Sequence, residues 1–110
     1  MPRFVSLWLP VVAWAAVIFA LSSMPNLGTG LGGWDLLLRK LAHGTEYALF
    51  GFLLLRALGR QYLAVALGIA YALTDELHQH FISGRVGAPI DLAIDALGVI
   101  VGVLVGRWWL

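Results

Sequence analysis

Four apolar stretches, each long enough to cross a lipid bilayer as a helix, dominate this chain of 110 residues. They cover about residues 4–21, 36–58, 62–80 and 90–109, and breaks rich in glycine, proline and charged residues separate them. A transmembrane helix needs roughly 20 mostly apolar residues. We therefore predict an all-α fold in one domain over residues 1–110: a membrane bundle of four transmembrane helices with short loops.

The composition supports a chain that faces lipid. Hydrophobic residues make up 61% of it, charged residues 12%, and the mean hydropathy is +0.89. A soluble domain carries about a quarter charged residues. The net charge of +1 and the lack of a basic run argue against a nucleic-acid partner, and the absence of cysteine excludes disulfides and thiolate metal sites. The lipid bilayer is the predicted partner.

The first stretch has a second interpretation as a signal peptide. Arg3 precedes it, and the sequence Ala20-Leu21-Ser22 loosely fits a cleavage site. The stretch is longer than the 7–15 residues of a signal core, however. We therefore favour a helix that stays in the protein.

The distribution of ionisable residues is uneven. All six acidic residues, all three histidines and three of the seven basic residues fall near the helix ends opposite the termini. Ionisable residues are costly in lipid, so they are rare there and usually functional. We expect the polar residues of the last three helices to converge at that end.

Orientation is predicted from the remaining arginines. With four crossings, the termini and the 59–61 turn share one side, and that side carries Arg3, Arg56, Arg60 and Arg107. The other side carries Arg39, Lys40 and Arg85, each near an acid in sequence or on a neighbouring helix. The positive-inside rule then favours cytoplasmic termini.

The second stretch opens with a polar face. Lys40, His43 and Tyr47 recur at helical spacing on one stripe, and Glu46 lies about 9 Å along the axis from Lys40. Four polar groups on one face favour a binding or catalytic site. The alternative is a snorkelling lysine and a buried hydrogen bond that only fixes helix packing.

The third stretch ends in a similar way. Tyr71, Asp75, His78 and Gln79 share a face, whereas Glu76 points about 100° away. The alternative is an ordinary helix end among lipid headgroups. That alternative is stronger for Glu76 and His80 than for Asp75 and His78.

The second loop and the fourth stretch add one arginine and two aspartates. Arg85 follows Gly84 in the second loop, and its planar guanidinium group suits the binding of phosphate or carboxylate. The alternatives are a surface arginine that contacts lipid headgroups and an internal partner of Asp91. Asp91 and Asp95 are one helical turn apart. They need a shared proton, a cation or a basic partner.

These patterns give a set of candidate site residues. The catalytic candidates are His43, His78, Asp75 and Glu46, because an imidazole beside a carboxylate suits acid–base chemistry near neutral pH. The substrate-binding candidates are Lys40, Tyr47, Gln79, Arg85, Asp91 and Asp95. Nitrogen and oxygen atoms that could bind a metal are offered by His43, His78, Glu46, Asp75, Asp91 and Asp95. No local metal signature such as His-Glu-x-x-His is present, however, so we predict no metal and no cofactor.

Gly98, Gly102 and Gly106 form a stripe on the fourth helix. Small residues four apart let another helix approach closely. The stripe predicts tight helix packing and offers a route to a homo-oligomer.

The order of these motifs resembles that of the VanZ-like family of small bacterial membrane proteins. The matching segments are Ile18-Phe-Ala-Leu-Ser-Ser-Met-Pro25, Lys40-x-x-His43-x-x-Glu46-Tyr47-x-x-Phe50-Gly51, Asp75-Glu76-x-His78-Gln79-x-Phe81-x-x-Gly84-Arg85 and Asp91-x-x-x-Asp95-x-x-Gly98-x-x-x-Gly102. Many members have asparagine in place of Asp95 and proline in place of Ser83.

The resemblance implies a multi-pass protein of the bacterial cytoplasmic (inner) membrane. The family's namesake is associated with low-level resistance to teicoplanin. Two functions stay open. The polar cluster binds or acts on an anionic lipid or cell-wall precursor, or it is a structural network in a non-enzymatic interaction protein. A transporter is less favoured, because four helices leave little room for alternating access.

Overall fold

The computed structural model describes residues 2–22, 34–80 and 89–110; the side chains at 22, 34–36, 39, 79–80 and 89–90 lie outside that description. Within these ranges the chain forms four α-helices and no strand. In chain order they are α1 (Arg3–Ser22), α2 (Trp34–Leu58), α3 (Gln61–His80) and α4 (Pro89–Trp109). The all-α prediction is confirmed.

Two of these four helices are long and apolar enough to cross a membrane. They are the segments Arg3–Leu21 in α1 and Asp91–Trp109 in α4. The sequence of α2 contains Arg39, Lys40, Glu46 and Arg56, and α3 ends in a polar segment that includes Asp75. The prediction of four helices is therefore confirmed. The prediction that all four cross the membrane is not confirmed, because two of the described helices are candidate spans.

A single glycine sets the connection between α2 and α3. Gly59 has a φ of 71°, in the left-handed region that favours glycine, and its N–H donates to the carbonyl of Leu55 at 2.8 Å. This cap ends α2, and α3 begins at Gln61. The short connection makes the two helices antiparallel neighbours, so the polar end of α3 lies beside the polar start of α2.

The closest helix contact joins α2 to α4. A Cβ added at Gly98 would overlap the carbonyl oxygen of Gly44, and one added at Gly102 would overlap that of Ala48. The predicted close approach thus occurs within the chain. The glycine face is occupied by α2, so the homo-oligomer that we raised from Gly98, Gly102 and Gly106 would need a different surface.

Helix α1 packs against α2 and α3, and its proline creates one of the contacts. Pro10 lies inside α1 and has no N–H, so the carbonyl of Ser6, four residues earlier, lacks its helical donor. Arg56 of α2 donates Nη1–H to that carbonyl at 3.3 Å. The charged side chain therefore satisfies a backbone acceptor that the proline leaves open.

The interior and the outer surface are both apolar. Tyr47, Ile18, Leu54 and Val99 are the largest fully buried side chains. Large apolar side chains are also exposed on every helix, including Phe4, Leu41, Leu77 and Leu97. Soluble monomers rarely expose extended apolar surface, so this exterior is typical of a protein that contacts lipid or another apolar partner.

Candidate functional site

The starts of α2 and α4 and the end of α3 meet at one end of the molecule. Two contacts define this end. Lys40 Nζ of α2 lies 2.6 Å from Asp91 Oδ1 of α4, and Tyr47 Oη of α2 donates to Asp75 Oδ2 of α3 at 2.8 Å. Polar residues from three helices therefore converge here, as their positions in the sequence predict.

The Lys40–Asp91 ion pair lies at the outer edge of this site. Both side chains are partly exposed, at 26% and 36%. Water screens such a pair, and its net contribution to stability is about 0–1 kcal/mol. The pair already neutralises the ammonium group that we predicted to hold an anion, so an anionic ligand would have to share Lys40 with Asp91.

His43 lies one turn further along α2, between two carboxyl groups. Its Nδ1 is 3.6 Å from Asp95 Oδ1 of α4 and 3.9 Å from Glu46 Oε2 of its own helix. The His43 side chain is 25% exposed, whereas Asp95 is almost completely buried. A partly exposed imidazole beside a buried carboxylate is a common arrangement for acid–base chemistry. Here His43 would exchange the proton and Asp95 would orient its ring.

Tyr47 and Asp75 lie deeper. Tyr47 is fully buried, and its hydroxyl fixes one oxygen of the buried Asp75. Substrate binding by Tyr47 stays a prediction. Its burial and its hydrogen bond favour a role in positioning the Asp75 carboxylate.

Three buried atoms at this site lack hydrogen-bond partners among the described residues. They are His43 Nδ1, Asp75 Oδ1 and Asp95 Oδ1. These three residues, which we call the inner cluster, each place a ligand-type atom within 4.8 Å of the others. One imidazole nitrogen and two carboxylate oxygens can hold a proton or a metal ion. Our sequence prediction assigned no metal to these residues.

The other candidates from α3 and the following loop are His78, Gln79 and Arg85. His78 stacks on Phe19 of α1, with ring centroids 4.4 Å apart and planes 25° apart. Its catalytic role stays a prediction. The side chain of Gln79 and the whole of Arg85 lie outside the described residues.

Two aromatic residues that we did not predict as part of the site hold α1 beside it. Trp14 Nε1–H donates to the backbone carbonyl of Glu46 at 2.9 Å, and Tyr71 Oη donates to the carbonyl of Ala15 at 2.6 Å. Trp14 lies within an unbroken apolar run. Only the polar tip of its ring could have indicated a partner, since a buried indole N–H usually finds one.

Comparison with known proteins identifies the family of the chain. No curated protein and no solved structure matches the chain. The model of the VanZ/LLP1 family matches residues 3–110, which include all four helices and every candidate site residue. The chain therefore belongs to the VanZ/LLP1 family.

Proposed function

We propose that the chain is a multi-pass protein of the bacterial cytoplasmic membrane that binds or acts on an anionic envelope molecule. All four helices would cross the bilayer, with both termini in the cytoplasm. The polar end would then face outward, toward lipid phosphates and exported cell-wall precursors. Through such a molecule the protein would affect susceptibility to glycopeptides such as teicoplanin.

The surface and the family support the membrane location. Apolar side chains are exposed on all four helices, and two helices are long and apolar enough to span. The charged residues of α2 and α3 do not exclude a crossing, because the bundle shields some of them from lipid. Asp75 is buried at 5% exposure, and the Glu46 side chain is 17% exposed. Ionisable residues in membrane helices usually face the bundle interior.

The observation that carries the functional proposal is the position of His43. Its ring is partly exposed beside the buried Asp95, and the Lys40–Asp91 pair lies one turn further out. A substrate at this end would meet an imidazole and an ammonium group together. His43 would move a proton, Asp95 would orient its ring, and Lys40 with Arg85 would contact the anionic group.

A second function, that of a non-enzymatic structural or interaction protein, has its own support. The Tyr47–Asp75 and Trp14–Glu46 hydrogen bonds join helices, which is what a packing network does. Buried polar networks of this kind can fix one arrangement of a bundle. On this alternative, His43 would matter for stability and not for turnover.

The test replaces the two described histidines in cells. We expect His43→Ala to abolish the effect of the protein on teicoplanin susceptibility while the protein still accumulates in membranes. Thr45→Ala is the matched control, because Thr45 is exposed and its hydroxyl bonds only to the Leu41 carbonyl among the described residues. Lipids and cell-wall precursors extracted from the same cells should change with the wild type and the control and not with His43→Ala.

The same experiment separates the two functions. If His43→Ala and His78→Ala both keep the phenotype at normal protein levels, acid–base catalysis is excluded and the structural function stands. A loss of phenotype that follows loss of the protein would also favour the structural function.

A further inference from the structure

The inner cluster holds two buried carboxyl groups, and no described lysine or arginine forms an ion pair with either of them. Asp75 and Asp95 are 5% and 3% exposed, and each has one oxygen with no hydrogen-bond donor among the described residues. The one ion pair between a lysine or arginine and an acid in the described structure is Lys40–Asp91, at the outer edge. Buried carboxylates are paired, protonated or bound to a metal, because an isolated buried charge is very costly.

We propose that the inner cluster is a divalent metal site. His43 would supply a ring nitrogen, and Asp75 and Asp95 would supply one carboxylate oxygen each. Each of the three residues has one buried atom without a hydrogen-bond partner among the described residues, and two of the three side chains are more than nine-tenths buried. Three different helices contribute one ligand each, so a bound ion would also join α2, α3 and α4.

The distances are close to those a small transition metal requires. Zinc binds histidine nitrogen and carboxylate oxygen at about 2.0–2.2 Å, which places ligand atoms roughly 3–4 Å apart. His43 Nδ1 and Asp95 Oδ1 are 3.6 Å apart, and all three ligand atoms lie within 4.8 Å of one another. Small rotations of the side chains would bring them into coordination.

The donor types narrow the choice of metal. Imidazole with two carboxylates suits zinc or manganese. Calcium takes six to eight oxygen ligands, which is more than the cluster supplies. Three protein ligands are also the number found in catalytic zinc sites, where another position stays open to water or substrate.

The neighbouring groups fit this assignment. Tyr47 donates its hydroxyl hydrogen to Asp75 Oδ2, so the other oxygen, Oδ1, is the one without a donor. Hydrogen bonds to metal-binding carboxylates commonly orient them in this way. Glu46 lies 3.9 Å from His43 Nδ1 and is less exposed than His43. It places a third carboxyl group close to the ion.

A bound metal would change how the function proposed above is carried out. The ion would replace Asp95 as the partner of His43 Nδ1, and its open positions would bind a phosphate or carboxylate oxygen of the anionic molecule. That role in recognition rests on the proposed function. Metal binding itself does not, and it can be measured on the purified chain without any substrate. Failure of the metal proposal is thus distinguishable from failure of the function.

The experiment measures metal content and affinity on the full chain in detergent. After chelator treatment and dialysis, zinc and manganese are titrated separately, and bound metal is counted by mass spectrometry. We expect one ion per chain and at least tenfold weaker binding for Asp95→Asn and for Asp75→Asn. Asp91→Asn is the matched control: it makes the same change one turn away on α4, where the carboxylate pairs with Lys40, and we expect it to retain the ion.

Two further measurements distinguish loss of the metal site from loss of folding in the variants. The metal should raise the unfolding temperature of the wild type and of Asp91→Asn, and not that of Asp95→Asn. With cobalt(II) as the probe, His43→Cys should gain a thiolate-to-metal charge-transfer band, a signal that a lost site cannot produce. Absence of bound metal in the wild type, or equal affinity in Asp91→Asn and Asp95→Asn, would overturn the proposal and leave a proton-sharing network.

Discussion

Burial determines how much each polar residue of the site contributes to stability. Lys40 and Asp91 make the shortest ion pair, but both are partly exposed and water competes for them. Tyr47 and Asp75 make an ordinary 2.8 Å hydrogen bond in the interior, where no water replaces a lost partner. The deeper contact should therefore stabilise the fold more than the outer pair, although the outer pair carries full charges.

We expect Tyr47→Phe to destabilise the protein by about 1–3 kcal/mol, since it leaves a buried carboxylate without its donor. Lys40→Met should cost about 0–1 kcal/mol. Chemical unfolding in detergent, followed by circular dichroism, measures both. In an Asp75→Leu background the cost of Tyr47→Phe should shrink, because both partners are then absent. An undiminished cost would mean that the tyrosine hydroxyl acts on something other than Asp75.

At the scale of helices, two backbone features explain how the elements are joined. The carbonyl of Ser6, left open by Pro10, accepts a bond from Arg56, and the glycines of α4 lie against carbonyls of α2. Each feature depends on one residue type in one helix, a proline in α1 or a glycine in α4, and on a partner group in α2. Each can be tested by a paired substitution.

The contact between α1 and α2 should show coupling between Pro10 and Arg56. Arg56→Met removes the donor to the Ser6 carbonyl and should cost about 1 kcal/mol. Pro10→Ala restores a helical N–H at that carbonyl, so Arg56→Met in that background should cost less, by about 0.5 kcal/mol or more. Unfolding free energies of the four proteins complete the cycle, and strictly additive effects would contradict the assignment.

The contact between α2 and α4 should not tolerate larger residues. The added methyl of Gly102→Ala would overlap the backbone carbonyl of Ala48, and we expect a loss of about 1–3 kcal/mol. Gly106→Ala is the matched control, because its methyl would meet side chains and no backbone atom. The nearest is the tip of the Leu55 side chain at 3.0 Å, which can rotate. Equal unfolding temperatures for the two variants would show that the helices separate easily.

The helices were predictable from the sequence, but their partners were not. Each predicted boundary lies within two residues of the observed one, because apolar runs bounded by glycine, proline and charges leave little choice. The glycine stripe predicted a close helix without saying whether it belongs to the same chain. His43 and His78 were both predicted as catalytic candidates, yet one lies beside Asp95 and the other stacks on Phe19 of α1. Such differences arise from helix rotation, which periodicity does not fix.

For the whole molecule, the direction of insertion decides which compartment the site faces, and the number of crossings is a separate question. Two of the described helices are long and apolar enough to span, and our proposed function requires four crossings. With four crossings, position 32 and position 60 lie on opposite sides of the membrane. If only α1 and α4 cross, the two positions lie on the same side.

Single cysteines distinguish these topologies, since the chain has no native cysteine. We expect an impermeant thiol reagent to label Gly32→Cys in intact cells and Arg60→Cys only after lysis. The outer membrane, where one exists, is permeabilised first, and a permeant reagent controls for accessibility. Labelling of both positions in intact cells would limit the protein to two crossings. The reverse pattern would place the site in the cytoplasm and remove its link to exported precursors.

The contact of α4 with α2 has a consequence for biosynthesis. The N-terminal part of a chain leaves the ribosome first, so α2 and α3 emerge before α4. Helix α4 covers the carbonyls of Gly44 and Ala48 and supplies Asp95. Until α4 arrives, Asp75 has Tyr47 as a neighbour but lacks the rest of its surroundings. We therefore expect a three-helix stage during synthesis, in which these groups are open to proteases. A chain truncated after residue 88 should be short-lived in cells, while the complete chain persists.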